Sequence, residues 1–89
     1  MEQKISALFA WNKDGEKMAK KIAERYRQGG VDVKVHGEAS EDNLRAIGKV
    51  HEVSHVLYFM NDEKLLLISL QDEMGGFTAE IMVHELILP

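Results

Sequence analysis

Residues 5–11 (ISALFAW) form an apolar run with few polar interruptions. Runs of this kind read as strands buried on both faces, as in a parallel sheet. Asn12-Lys13-Asp14-Gly15 breaks the run, and Asn12 or Asp14 is placed to cap a helix starting there. Over residues 15–28, Met18, Ala19, Ile22, Ala23 and Tyr26 recur at spacings of three and four, which predicts an amphipathic helix. Gly29-Gly30 ends it, with one of the pair expected in the left-handed conformation. Val31, Val33 and Val35 then alternate with Asp32, Lys34 and His36, the pattern of a half-exposed strand near a sheet edge.

Gly37-Glu38-Ala39 reads as a connector, and Ser40 as the N-cap of a second helix. Glu41 and Asp42 would sit in its first turn, where the helix dipole favours acids. Leu44, Ile47, Gly48 and His51 mark its inner face, and it runs to about His51. Residues 55–60 (HVLYFM) predict a third strand, Asn61-Asp62-Glu63 a turn, and residues 64–70 (KLLLISL) a fourth strand. Residues 71–76, with Gly75-Gly76, read as a hairpin loop. Phe77, Ala79, Ile81 and Val83 alternate with Thr78, Glu80, Met82 and His84, a period of two that predicts a fifth strand. The order is β-α-β-α-β-β-β. Two successive β-α-β units imply right-handed crossovers and a parallel three-stranded core with helices over its faces.

An 89-residue chain of this kind makes a single domain, residues 1–89. It holds no Cys, which excludes disulfides and thiolate metal sites and fits a reducing cytoplasm. No segment approaches the roughly 20 apolar residues of a membrane span, so a cytoplasmic protein without membrane contact is expected. The net charge of −4 argues against a generic nucleic-acid binder. That charge is unevenly placed. Residues 1–49 hold ten Lys/Arg against eight Asp/Glu, a net of +2, whereas residues 50–89 hold Lys64 against seven acids, a net of −6. A polyanion would meet the first half.

The sequence carries few reactive constellations. The first β-α turn lies where α/β folds bind phosphates, yet it has neither the P-loop nor the dinucleotide glycine spacing. His51-Glu52-Val53-Ser54-His55 matches HExxH as a string, but it falls at a predicted helix-to-strand junction, whereas a zinc site needs one continuous helix and a third ligand. Ser6, Ser40, Ser54, Ser69 and Thr78 lie on no glycine-flanked elbow. No catalytic residue, metal ligand or cofactor is expected, so this chain alone is not read as an enzyme. Trp11 closes the first strand beside Asn12, Lys13 and Lys17, where it either stacks a base next to phosphate contacts or caps the core.

Residues 16–36 (EKMAKKIAERYRQGGVDVKVH) resemble the opening helix and strand of the anticodon-binding domain of class II aminoacyl-tRNA synthetases of the histidyl, threonyl, prolyl and glycyl type. Ala19, Ile22, Ala23, Arg27, Gly30, Val31, Val33 and Val35 take the positions of that pattern. Residues 40–49 are similar to its second helix, residues 55–70 to its strand pair, and residues 75–86 to its closing hairpin and the start of a last helix. The resemblance spans nearly the whole chain and is carried by layout and hydrophobic pattern. It implies a three-layer α/β fold with a mixed five-stranded sheet in the order 2-1-3-4-5 and strand 4 antiparallel. It also implies a non-catalytic tRNA-binding module, either a synthetase domain or a stand-alone or repurposed copy. Candidate RNA-contacting residues are Trp11, Asn12, Lys13, Lys17 and Arg45. Copies of the fold also serve as regulatory or dimerising modules. The acidic second half favours that alternative, a protein partner or a homodimer formed through the C-terminal edge strand.

Overall fold

A computed structural model describes residues 6–70 and 77–86. The expected hairpin loop at 71–76, the Ile5 start of the first strand and the apolar residues 87–89 lie outside the described residues. The strands are β1 (Ser6–Trp11), β2 (Asp32–Glu38), β3 (His55–Phe59), β4 (Lys64–Ser69) and β5 (Phe77–Met82). The helices are α1 (Glu16–Gln28) and α2 (Leu44–Val50). One sheet holds all five strands in the order β2-β1-β3-β4-β5. β1 runs parallel to β2 and β3, and β4 is antiparallel to both of its neighbours. Among the described residues, no helix is long and apolar enough to cross a membrane.

β1 explains the layering. Ala7 to Trp11 are all buried, so the strand needs cover on both faces. Its odd positions, Ala7, Phe9 and Trp11, join Ala19, Ile22 and Ala23 of α1 in one core. Leu8 and Ala10 join Leu44 of α2, together with Val56 and Tyr58 of β3, in the other. Phe9 sits at the centre of the first core, with its ring stacked 5.8 Å from Phe59 and edge-on 5.6 Å from Tyr26. In the second core the Tyr58 hydroxyl donates to the Ala39 carbonyl (2.9 Å), which ties the β2-to-α2 connection to the sheet.

Local details differ from the sequence expectation in four places. The first helix is capped by Gly15, without a side-chain cap; the Asn12 carboxamide instead accepts from the Asp14 amide (2.8 Å) and shapes the turn. Gly37 and Glu38 belong to β2, beyond an irregularity in its pairing between Phe9 and Ala10. Ser40 does cap, but the turn it caps, Glu41–Asn43, is a 3₁₀ turn and leaves α2 only seven residues. The alternation that suggested a strand through Val83 stops at Met82. There Glu85 accepts from the Met82 amide (2.9 Å), the Val83 amide donates to the Glu63 carbonyl (2.7 Å), and Val83–Glu85 coil into a 3₁₀ turn.

The end of α2 disposes of the HExxH string. The Val53 amide donates to the Gly48 carbonyl (3.2 Å) and the Glu52 amide to the Lys49 carbonyl (3.1 Å), so the helix closes at His51 in a Schellman motif. Glu52 holds the left-handed position, at φ 57°. His51 and His55 therefore sit on either side of a chain reversal. A glycine would take this position without the Cβ clash, and its substitution would also remove an acid from the negative end of a helix dipole. We expect Glu52→Gly to stabilise the fold by about 1 kcal/mol, read as a higher urea midpoint at unchanged slope; a lower midpoint contradicts this account.

Candidate functional site

In open α/β sheets, ligands collect in the crevice at the carboxyl ends of the strands where the winding direction reverses. Here that point lies between β1 and β3, since α1 and α2 lie on opposite faces and Trp11 pairs with Phe59. The crevice is closed by main chain. The Asn12 amide donates to the Phe59 carbonyl (3.1 Å), and the Gly15 amide to the Asn12 carbonyl (3.0 Å). A Cβ on Gly15 would stand 2.0 Å from the Phe59 oxygen and 2.6 Å from its carbonyl carbon. Only a glycine fits between turn and strand.

The five candidate residues separate accordingly. Trp11 is 6% exposed and lies in the α1 core, with the Lys20 ammonium 5.9 Å from its ring centroid. It caps the core, and its ring faces are not open for stacking. Asn12 is engaged in the turn. Lys13 and Lys17 are exposed and line one open hollow together with Asp14, Glu16 and Asp62. Arg45 belongs to the other face, where its guanidinium donates to Thr78 Oγ1 (2.9 Å) on β5. The structure thus brings Asn12, Lys13 and Lys17 together beside Trp11 and sets Arg45 apart.

The fold also assembles a feature that reading along the chain did not single out. Lys17, Lys21 and Arg25 succeed one another at spacings of four along one flank of α1. None has an ion-pair partner among the described residues, whereas Lys20 pairs with Glu16 and Arg27 with Glu24. Lys13 extends this line to the turn. The i, i+4 spacing of the cations was the available signal.

Two other groups resemble chemistry and resolve into structure. Ser54 Oγ lies 2.8 Å from His55 Nδ1, like a nucleophile beside a base. The single hydroxyl proton goes to the Ser6 carbonyl (2.8 Å), and Oγ accepts from the Ser6 amide (3.0 Å). The imidazole must then be the donor to Ser54, which is the reverse of base activation. The group clamps the starts of β1 and β3 together. His36 and His51 meet edge to face at 5.8 Å, and among the described residues no group of three or more His, Cys, Asp or Glu is placed to hold a metal.

No protein-family model matches this chain, and no curated protein does.

Burial holds the His55 imidazole below its ordinary value of 6.5. The unfolded chain therefore takes up this proton at a higher pH than the folded one. Stability that is full above 6.5 is lost as pH falls through that value toward the folded midpoint. NMR titration should place the His55 midpoint below 6.5. His55→Gln should flatten the loss of urea midpoint between about pH 7 and 5; an unchanged loss removes His55 from the account.

Proposed function

We propose that this chain is a non-catalytic RNA-binding module built on the anticodon-binding-domain layout. The observation that carries the reading is the unpaired cation line, Lys13, Lys17, Lys21 and Arg25, on a chain whose net charge is −4. A line of exposed cations about one helical turn apart suits the phosphates of a single strand or loop. The sheet order with an antiparallel fourth strand is also the order that the resemblance implies. A shared fold does not carry a function with it, so the cations bear the argument. With Trp11 buried, binding on this flank is mainly electrostatic, and weak sequence preference is expected.

A second reading, a protein-interaction module of the same fold, is favoured by a different observation. Among the described residues β5 ends the sheet order and pairs only with β4, and the partly buried Val83 and Leu86 wall a groove beside α1. A synthetase connection and a cytoplasmic setting belong to the first reading as expectations.

The test is titration with unfractionated tRNA at low salt, read by amide spectra and by fluorescence polarisation of labelled RNA. Shifts are expected at Lys13, Lys17 and Lys21. The logarithm of affinity should fall against the logarithm of salt with a slope of about −2 to −4. Lys13→Glu with Lys17→Glu should weaken binding by roughly tenfold or more, while Arg45→Gln on the opposite face should leave it unchanged. Unmoved amides along α1 at low salt end the RNA reading.

A further inference from the structure

α1 lies over β1, β2 and β3. Beside it the chain returns from β5, and the 3₁₀ turn brings Val83 and Leu86 next to Met18 and Ile22. These four apolar residues wall a groove of about 320 Å³, with Lys21, Arg25 and His84 at its margin. An adjoining hollow shares Val83 and His84 and is lined also by Met82, Asp62 and Glu63; Asp62 in turn borders the hollow of Lys13 and Lys17. Crossing this surface therefore meets Lys21 and Arg25, then an apolar floor, then Asp62 and Glu63. None of the four charged side chains has an ion-pair partner among the described residues.

We infer that this strip is the interface of a two-fold homodimer. A surface that runs from basic through apolar to acidic is its own complement. A two-fold axis through the apolar floor lays Lys21 and Arg25 of each copy against Asp62 and Glu63 of the other and closes both grooves. An isologous interface requires this kind of self-complementarity. Other occupants answer only part of the surface. A polyanion along α1 would meet the cations and leave the apolar floor, Asp62 and Glu63 without a complement. The interface differs from pairing along the β5 edge, and it does not rest on the RNA reading. It takes Lys21 and Arg25 and leaves Lys13 and Lys17 open.

The experiment is sedimentation equilibrium of the full chain over a wide concentration range at low salt, without RNA. A monomer–dimer equilibrium that weakens with added salt is expected. Lys21→Glu/Arg25→Glu and Asp62→Lys/Glu63→Lys should each weaken self-association by roughly a hundredfold. An equimolar mixture of the two reversed proteins should restore the dimer as a heterodimer, which also shows that both remain folded. A wild-type monomer at every concentration overturns the inference. So does a dimer indifferent to both reversals, the result expected of edge pairing, or a mixture no better associated than its components.

Discussion

The burial of β1 on both faces is the constraint that organises the whole architecture. Its side chains are divided by parity, with Ala7, Phe9 and Trp11 feeding one core and Leu8 and Ala10 the other. A one-residue slip would exchange the two sets and place Phe9 where Leu8 packs, so the register with β2 and β3 is tightly specified. Two apolar faces demand two covering helices on opposite sides, and right-handed crossovers then place β2 on one side of β1 and β3 on the other. β4 and β5 extend the sheet from β3 by antiparallel pairing. Phe9 and Phe59, stacked across neighbouring strands, anchor the α1 core, and Tyr58 does the same for the connection leading into α2.

Features that depend on near neighbours in sequence were legible before the structure. The α1 stripe, the apolar run of β1 and the alternation around Thr78 to Met82 each report a local period, and each element stands within a few residues of its expected place. Features set by long-range contact were not. Gly15 became the helix cap because of the Phe59 carbonyl, which lies far along the chain. A tryptophan at a strand end satisfies core and surface readings equally until the helix above it is placed, so the burial of Trp11 had to be seen. Arg45 goes with its helix to the face opposite Lys13 and Lys17, and no spacing along the sequence indicates a face of the sheet. The left-handed residue at the end of α2 escaped notice because the expected signal there is glycine and the chain uses Glu52.

Charge shows the same contrast between line and space. Along the chain, the basic half and the acidic half look like separate regions. The return of the chain beyond β5 brings Val83 and His84 beside the cationic flank of α1, with Asp62 and Glu63 next to them. A sequence asymmetry becomes a polarity across a few side chains, with apolar groups between. Such a surface is complementary to a partner of matching polarity.

The turn over β3 bears on how this scaffold could be given new activity. The groups that close the crevice are the peptide units of Asn12 and Gly15 against the carbonyl of Phe59. Exchanging side chains there cannot open it; an insertion between Asn12 and Gly15 would be needed to lift the backbone clear. On the α1 flank, by contrast, the surface is built from side chains alone, and single substitutions can rewrite it. Variation in this chain is therefore channelled toward the helix flank, and the crevice is accessible only to changes in loop length.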